Sequence, residues 1–401
     1  MHILVVNCGS SSLKFQLIAL PSERVAAKGL VERIGQAVNA QFRYTAGEKD
    51  FPKKAVKAPD HSAAIQQVIT ALVEGETAVL KAKSDIVAFG HRVVHGGEQF
   101  SDSQLIDAPV MKAIKQCCEL APLHNPANLA GICACQEALP GVPNVAVFDT
   151  AFHQTMQPHA FHYALPPRYY EKLHIRRYGF HGTSHKYVTH KFAEVQKKTP
   201  DEVNLITCHL GNGSSLAAVQ NGRSVDTSMG FTPLQGVIMG TRSGDIDPAV
   251  VFYLIEQGGM TVDAVNDLLN KKSGLLGFSG VSSDMRDILA AVDAGNERAA
   301  LALNMCAYGI AKYVGAYHAI LPRTDAIVFT AGIGENSGPV RAAVCAHLAG
   351  IGVALDDGRN MAHRGIGPVS SPSSRIPVWV IPTNEELMIA RETYNLMQAR
   401  P

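Results

Sequence analysis

Two stretches of this chain share one hydrophobic pattern. Residues 3–13 read ILVVNCGSSSL and residues 205–216 read LITCHLGNGSSL, each an apolar run that ends in a glycine–serine turn. Runs of this length bounded by turn residues are typical of buried strands. A second pair behaves alike, with DIVAFGHRVVHGG at 85–97 and DAIVFTAGIGENSG at 325–338. The copies are too far apart for a solenoid repeat, so the pattern predicts two related α/β domains.

Helical patterns lie between these strands. Residues 60–73 place their apolar side chains on one stripe, which is typical of an amphipathic helix. A longer helical pattern covers 286–320 and is interrupted near Gly295. Asn384 precedes Glu385-Glu386-Leu387, which predicts a capped final helix. No linker of biased composition separates the halves, so the repeat alone places a domain boundary near residue 150.

Length and charge narrow the class of protein. The chain has 401 residues, more than one hydrophobic core usually serves. Its net charge of +1 gives no overall field that would attract nucleic acid or an anionic membrane. The N-terminal residues lack the pattern of a secretory signal, and no apolar stretch is long enough for a membrane span. We therefore expect a cytoplasmic protein with neither partner.

Cysteine and histidine spacings do not predict a metal or redox centre. None of the eight cysteines forms a C-x-x-C pair, so we expect reduced, structural thiols. His181 and His185 have the spacing of a zinc-binding helix, but the glutamate that a zincin uses as its base is missing. Catalytic zinc is therefore not expected.

The glycine–serine turns are candidates for phosphate binding. A turn after a strand exposes backbone N–H groups that can hold phosphate oxygens. Plain hairpin turns are the alternative, because Asn-Gly is a strong hairpin signal. Two turns related by duplication keep both interpretations open. A third glycine-rich loop, residues 331–338, is predicted between a strand and a helix, without the spacing of a dinucleotide fold or a Walker A motif.

Two arginines are candidates for anion binding. Arg92 lies in GHRVVHGG and Arg242 in MGTRSGD, both beside glycines. In a loop, the guanidinium fork can bind a carboxylate or a phosphate. A weak surface ion pair is the alternative for any single arginine. Because both lie at the edges of strand-and-loop units, we favour anion binding.

With these segments placed, the chain resembles the acetate kinase family from end to end. The motifs that carry the resemblance are NCGSSSLKF at 7–15, GHRVVHGGE at 90–98, APLHNP at 121–126, FDTAFHQTM at 148–156, RRYGFHGTSH at 176–185, HLGNGSS at 209–215, MGTRSGDIDP at 239–248, AGIGENS at 331–337 and PTNEEL at 382–387. The resemblance implies an α/β fold of two duplicated ribonuclease H-like (actin-like ATPase) domains with an ATP cleft between them. It implies a first domain of residues 1–149 plus the C-terminal helix 386–401, a second domain of 150–385, and a homodimer.

The resemblance also implies roles for individual residues. The catalytic residues are Asp149, His181 and Arg242, of which the last two stabilise the transferring phosphoryl group. The carboxylate is bound by Arg92, and its methyl pocket is lined by Val94, Leu123, Phe180 and Pro233. The nucleotide is bound by Lys14 and by three segments, namely His209, Leu210, Gly211, Asn212 and Gly213; Asp284, Met285 and Arg286; and Gly332, Ile333, Gly334, Glu335 and Asn336. Mg²⁺, with Mn²⁺ as a possible substitute, is bound by Asn7 and Glu385.

The implied reaction is reversible, Mg²⁺-dependent transfer of the ATP γ-phosphoryl group to acetate, which gives acetyl phosphate and ADP. A carboxylic acid is already ionised at neutral pH, so the nucleophile needs no base. We therefore expect direct in-line transfer, with Asp149 orienting the substrate or the magnesium shell. Val94 favours acetate over propionate. The alternatives are a propionate kinase, a covalent route through Glu385 or Asp149, and an actin-like ATPase without metabolic activity.

Overall fold

The computed structural model describes residues 1–36, 40–122 and 124–399. These residues form two compact units. Unit 1 contains residues 1–154 and 384–401, and unit 2 contains residues 155–383.

Both units combine a mixed sheet with helices. The strands of the described residues are β1 His2–Cys8, β2 Ser12–Ala19, β3 Arg24–Glu32, β4 Ala40–Ala46, β5 Lys49–Val56, β6 Ile86–Val93, β7 Gln104–Leu105, β8 Asn144–Phe148, β9 Leu205–Leu210, β10 Ser214–Gln220, β11 Arg223–Thr227, β12 Ala326–Thr330, β13 Gly367–Pro368 and β14 Val378–Val380.

The helices lie mostly between the strands. They are α1 His61–Val73, α2 Ala108–Gln116, α3 Asn125–Ala138, α4 Pro158–Phe161, α5 Arg168–Leu173, α6 Gly182–Val195, α7 Ala249–Glu256, α8 Val262–Lys271, α9 Gly274–Ser279, α10 Met285–Asp293, α11 Glu297–Ile320, α12 Ala331–Asn336, α13 Gly338–Ala346, α14 Asp357–Ala362 and α15 Glu385–Gln398. The helices predicted at 60–73, at 286–320 with its break at Gly295, and after Asn384 are confirmed as α1, the α10–α11 pair and α15.

The strand order shows the predicted duplication. The sheet of unit 1 has the order β5-β4-β3-β2-β1-β6-β8-β7, and that of unit 2 has the order β11-β10-β9-β12-β14-β13. In unit 1, β1 pairs antiparallel with β2 and parallel with β6. In unit 2, β9 pairs antiparallel with β10 and parallel with β12. The α/β fold class with two related mixed sheets is therefore confirmed.

The sheet of unit 1 is covered on both faces. Leu4, Val6 and Phe89 belong to the buried cluster formed with α1. Gly90, the next residue along β6, faces the other way and meets α15. A Cβ atom there would lie 2.6 Å from Thr393 Oγ1 and 2.7 Å from Ile389 Cγ2, so glycine allows α15 to approach the sheet. The C-terminal helix thus packs on the first sheet.

The core of unit 2 lies on one face of its sheet. Ile206, Cys208 and Leu210 alternate along β9 and point into a buried cluster that includes much of α11. Thr207 and His209 therefore point to the opposite face, towards α6, because successive side chains of a strand alternate. This second face carries polar side chains among apolar ones and includes part of the candidate site.

All eight cysteines are free thiols, and six of them are buried, as predicted. Burial raises the pKa of Cys8 and of Cys306 to about 12, which keeps both thiols protonated. Within the part of the chain that the structure describes, no helix is both long enough and apolar enough to cross a membrane.

Candidate active site

The two duplicated turns are both hairpin turns. Gly9 N donates to Ser12 O over 2.8 Å between β1 and β2, and Gly211 N donates to Gly213 O over 3.2 Å between β9 and β10. The hairpin interpretation is therefore correct for the backbone. In unit 2 the same turn also borders a cavity, so the hairpin and a ligand-binding role coexist.

That cavity has a volume of about 650 Å³, within the usual range for small-molecule sites. It brings together the three segments predicted to bind nucleotide. The predicted residues that line it are Gly211, Asn212, Asp284, Met285, Arg286, Gly332, Ile333 and Asn336. Ser283, Leu289, Ser337 and Pro339 complete the lining and were not predicted. Ser337 ends the AGIGENS motif and could have been included, whereas Ser283, Leu289 and Pro339 carry no charge and follow no motif rule.

The prediction of a third glycine-rich loop is wrong about its conformation, because residues 331–336 form the short helix α12. Ala331 leaves β12 in the left-handed region, at φ 64°, which is costly for a residue with a Cβ. At the other end, the buried guanidinium of Arg341 donates to the carbonyl oxygens of Gly334 (2.8 Å) and Glu335 (3.0 Å). These tertiary bonds offset the poor helix propensity of two glycines.

Two of the predicted nucleotide residues on α12 have structural partners. The Gly334 carbonyl is occupied by Arg341. Glu335 Oε1 accepts a hydrogen bond from the backbone of Thr383 over 2.9 Å. Neither residue lines the cavity described above, whereas Gly332, Ile333 and Asn336 do. Fewer residues of α12 therefore border the cavity than the motif predicts.

The second nucleotide segment begins α10. Asp284 caps this helix by accepting from Arg286 N over 2.9 Å, and it also pairs with the Arg286 guanidinium at 2.5 Å. Hydrogen bonds from Arg286 lower the pKa of Asp284 to about 2. The Arg286 side chain is 89% exposed, which leaves it accessible at the mouth of the cavity.

His181 precedes α6 in a left-handed conformation, at φ 56°. Its Nδ1 lies 2.9 Å from Ser215 Oγ, and its ring stacks on the ring of His209 at 4.1 Å between centroids. His209 Nδ1 is bonded in turn to Ser184 Oγ, over 2.8 Å. Left-handed backbone outside glycine is uncommon and costs free energy, and it recurs at functional sites. Ser215 and His209 therefore hold the imidazole of His181 in place, and Ser184 in turn holds His209.

Arg242 converges with His181 at the second hairpin turn. A Cβ atom on Gly213 would lie 3.4 Å from Arg242 Nη1 and 3.5 Å from His181 Cε1. Arg242 Nη1 donates to the Pro233 carbonyl over 3.3 Å and to Met239 Sδ over 3.6 Å. Among the described residues, no carboxylate pairs with Arg242, and burial lowers its pKa. A guanidinium held by neutral groups is well suited to an incoming anion.

Arg92, in unit 1, has the opposite surroundings. Its Nε and Nη2 atoms both donate to Asp149 Oδ2, over 3.1 and 2.5 Å. Asp149 is 1% exposed and Arg92 is 22% exposed. Burial by itself would lower the pKa of Arg92, but Asp149 and Glu385 raise it above its ordinary value. The alternative of a weak surface ion pair therefore does not apply to Arg92, whose partner Asp149 is buried.

The predicted metal ligands are also in unit 1. Glu385 is the first residue of α15, and its Oε2 lies 3.7 Å from Arg92 Nε. Burial raises the pKa of Glu385 to about 7; Arg92 opposes this rise, and Asp149 and Glu386 add to it. Asn7, on β1, is the cross-strand partner of Lys14 on β2. Lys14 forms an ion pair with Glu386, which shares the first turn of α15 with Glu385.

The pocket residues predicted for the methyl group lie in both units. Val94 is buried in unit 1, where its backbone N–H donates to Asn128 Oδ1 over 3.1 Å. Phe180 is buried in unit 2, and Pro233 is half-buried there, with its carbonyl bonded to Arg242. Leu123 lies outside the described residues.

Fold and site together define a class of protein. Two mixed sheets of one topology, a cavity lined by three glycine-rich or capping segments, and paired cationic groups are the features of an actin-like α/β phosphotransferase. The acetokinase family model matches residues 2–391, and the chain therefore belongs to the acetokinase family.

Individual relatives agree with this assignment. The chain is 54% identical to the acetate kinase of Desulfitobacterium hafniense over 399 residues, which covers 99% of this chain and 100% of that protein. It is similar to the crystal structure of Porphyromonas gingivalis acetate kinase, with 44% identity, a TM-score of 0.94 and 99% coverage of each chain. It is also similar to a propionate kinase from Francisella tularensis, with 44% identity, a TM-score of 0.92, and coverage of 98% of this chain and 99% of the other.

Proposed function

We infer that this chain is an acetate kinase, which transfers a phosphoryl group between ATP and acetate. One observation carries this conclusion beyond the family assignment. His181 and Arg242 converge at the Gly213 turn, where Ser215 Oγ holds the His181 ring and the Pro233 carbonyl oxygen holds the Arg242 guanidinium. Phosphoryl transfer depends chiefly on such positioned positive charge, because the protein has little covalent chemistry to perform.

The acceptor explains why cationic groups dominate. Acetate, like a glutamate side chain with a pKa of about 4.3, is ionised at neutral pH and needs no base. Its approach to a triphosphate is opposed by repulsion between two anions. We propose that Arg92 binds the carboxylate, and that Arg242 and His181 stabilise the negative charge of the transferring phosphoryl group during direct in-line displacement.

Asp149 then acts on Arg92. Both of its contacts with the guanidinium run to Oδ2, so the carboxylate anchors the Nε–Nη2 edge of the fork. Such an anchor reduces the freedom that the arginine loses on binding substrate. A carboxylate already engaged with a cation is a poor general base, in agreement with a nucleophile that needs none. We propose that Asp149 orients the carboxylate-binding arginine.

The acidic residues of unit 1 fit a magnesium ion. Burial and the nearby charges of Asp149 and Glu386 raise the pKa of Glu385, and a bound cation would relieve that repulsion. No group of three His, Cys, Asp or Glu side chains able to hold a metal occurs within the described residues. Mg²⁺ bound to nucleotides typically uses one or two protein oxygens and keeps several waters. We propose that Asn7 and Glu385 hold Mg²⁺, which would neutralise phosphate charge when bound.

A propionate kinase is the second candidate, because the Francisella tularensis neighbour carries that name. One extra methylene changes binding in an apolar pocket by only about 1–3 kcal/mol, so propionate is expected to react more slowly than acetate. Val94 supports the preference for the smaller acid, since its branched side chain is buried next to the Arg92 strand.

Trapping the acyl phosphate tests both candidates. Purified protein with ATP and Mg²⁺ is assayed with hydroxylamine, which converts an acyl phosphate to a coloured hydroxamate. The acceptors are acetate, propionate, butyrate and glycerol. We expect the highest kcat/KM with acetate and no product with glycerol. A higher kcat/KM with propionate would favour the second candidate, and no carboxylate-dependent turnover in either direction would overturn the assignment.

We propose further that units 1 and 2 are the two predicted domains and that the protein works in the cytoplasm, where ATP and ADP are available.

We also propose that the protein is a homodimer. The support for a dimer is α7, where the side chains of Val250, Phe252 and Tyr253 are 43%, 62% and 68% exposed. Exposed apolar patches of this kind mark protein contacts. Light scattering of the Phe252→Ser/Tyr253→Ser variant, with Met361→Ser as control, is expected to show a monomer only for the double variant. A monomeric parent protein would contradict this.

A further inference from the structure

A chain of hydrogen bonds runs from His181 into the interior of unit 2. His181 Nδ1 lies 2.9 Å from Ser215 Oγ, and the same hydroxyl lies 2.8 Å from His185 Nε2. His185 Nδ1 lies 2.7 Å from Thr207 Oγ1. Ser215, His185 and Thr207 are all 0% exposed. The chain therefore links a predicted catalytic side chain to groups that no substrate can contact.

The fold explains why these four side chains meet. His181 is the N-cap residue of α6 and His185 lies in its first turn, and the side chains of both contact Ser215 Oγ. Thr207 on β9 and Ser215 on β10 point to the sheet face opposite the apolar core, since their neighbours Ile206, Cys208 and Leu216 belong to that core. The polar positions of two apolar strands thus meet the polar face of α6.

Hydrogen-bond chemistry determines which group donates and which accepts at each step of this hydrogen-bond chain. A neutral imidazole has one N–H donor and one lone pair, and each hydroxyl has a single hydrogen to donate. Thr207 Oγ1 donates to the backbone carbonyl of Ala217 over 3.5 Å, so it accepts from His185 Nδ1–H. His185 Nε2 then accepts from the Ser215 hydroxyl. Ser215 in turn accepts from His181 Nδ1–H, which leaves Nε2 as the nitrogen whose proton can vary.

We propose that Ser215, His185 and Thr207 are positioning residues that hold His181 in its Nδ1–H form and in one ring orientation. The consequence concerns charge. With Nδ1 already donating inside the protein, Nε2 carries a hydrogen only in the imidazolium form. His181 therefore supplies a full positive charge, alongside Arg242, when it donates to a phosphoryl oxygen. The charge role of His181 rests on its proposed function in phosphoryl transfer, whereas the assignment of its tautomer does not.

Thr207→Val tests the hydrogen-bond chain at the end farthest from His181. The change removes one hydroxyl, keeps the side-chain shape and touches no substrate. In metal sites, loss of the group that hydrogen-bonds to a ligating histidine typically lowers metal affinity or activity ten- to a hundredfold, and we use this as the scale for His181. We expect a fall in kcat of about that size, with the KM values for ATP and acetate nearly unchanged. Thr207→Ser restores the hydroxyl and is expected to recover most of kcat.

Thr189→Val is the matched control. Thr189 is also 0% exposed, lies on α6, and donates to the backbone carbonyl of His185 over 2.8 Å, outside the chain. Equal kcat values for Thr207→Val and Thr189→Val would overturn the proposal, as would a Thr207→Val change that appears only in KM. Both variants are compared by thermal melting, so that loss of folding is not mistaken for loss of positioning.

A second measurement does not depend on activity. Nitrogen-15 NMR of the histidine-labelled protein, with His181 assigned by its absence in His181→Ala, reports which ring nitrogen carries the proton. We expect a protonated Nδ1 in the parent protein and a changed tautomer in Thr207→Val. An unprotonated Nδ1 in the parent protein would overturn the inference. Absence of acetate turnover with the expected NMR result would instead overturn the proposed function alone.

Discussion

The two arginines predicted to bind anions, one in each unit, are held in opposite ways. In unit 1, Arg92 is bound by the buried Asp149 and lies near Glu385, so its charge is compensated within the protein. In unit 2, Arg242 is held by a carbonyl oxygen and a sulfur atom, and the buried Arg341 by carbonyl and amide oxygens. Neither of the unit 2 arginines has a carboxylate partner within the described part of the chain.

The difference teaches what each site is built to accept. A buried cation without an anion is costly, so it persists only where dipoles satisfy its donors or a ligand supplies the charge. The burial that lowers the pKa of Arg242 is the sign of that cost. Under the proposed function, the carboxylates near Arg92 in unit 1 suit a metal cation beside the bound acetate. Unit 2 suits the polyphosphate and its developing charge.

The largest effect is expected from Arg242→Ala. Loss of an arginine that stabilises the transferring phosphoryl group typically lowers kcat by about three to five powers of ten. Steady-state kinetics with saturating acetate and ATP measures this. The control is Arg323→Ala, which removes a 59% exposed arginine paired with Asp325 in the same unit. A loss below tenfold for Arg242→Ala would exclude it from the transition state and remove the contrast between the units.

Arg92→Ala is expected to act on both binding and stability. It removes the carboxylate-binding fork, so the KM for acetate rises strongly. It also removes the Arg92 partner of the buried Asp149 carboxylate, and breaking such a pair costs about 3–5 kcal/mol of the free energy of unfolding. Urea denaturation and acetate saturation curves measure the two effects.

The double variant Arg92→Met/Asp149→Leu separates these effects. Replacing a whole buried pair by apolar groups of similar size is often neutral for stability. We expect recovery of most of the stability without recovery of the acetate KM. Unchanged acetate saturation in Arg92→Ala would contradict the binding role.

Arg341→Lys is expected to weaken nucleotide binding by a smaller amount. A lysine keeps the charge but cannot reach Gly334 O, Glu335 O and both oxygens of Asn360 together. Lost hydrogen bonds to a charged group cost about 1.5–3 kcal/mol, and we expect the KM for ATP to rise roughly tenfold.

The KM for acetate is expected to stay constant in that variant, because the α12 residues Gly332, Ile333 and Asn336 line the predicted nucleotide cavity. Arg359→Lys, at a 48% exposed arginine on α14, is the matched control. Equal increases in both KM values would show a general loss of structure instead of a displaced α12.

The smallest effect is expected from the helix caps. Asn384 accepts from Leu387 N over 3.1 Å and so caps α15, which carries Glu385. Loss of such a cap costs about 1 kcal/mol of the free energy of unfolding. Thr261→Ala removes the equivalent cap of α8 in unit 2. We expect similar losses of stability, but a higher Mg²⁺ requirement only for Asn384→Ala. An equal Mg²⁺ requirement in both variants would argue against Glu385 as a ligand.

Much of the fold could be predicted from local pattern. The apolar runs of β1, β6, β9 and β12 and their glycine turns are visible in the sequence, because burial demands apolar residues and tight turns demand glycine. The stripe of α1, the glycine between α10 and α11 and the asparagine before α15 are equally local signals. The α12 segment was mistaken for a loop because its helix depends on Arg341, which follows it and is buried by tertiary packing.

The candidate site also has features that could be predicted from local sequence patterns and features that could not. The sequence by itself determined the fold class, the duplicated turns and the identity of the charged residues, because these follow from patterns a few residues long. Only the tertiary structure decided which group each of them meets. Arg92 and Asp149 are separated by 57 positions, and His185 and Ser215 by 30. A side chain's charge and hydrogen-bonding state depend on its neighbours in space, and the order of residues along the chain does not specify those.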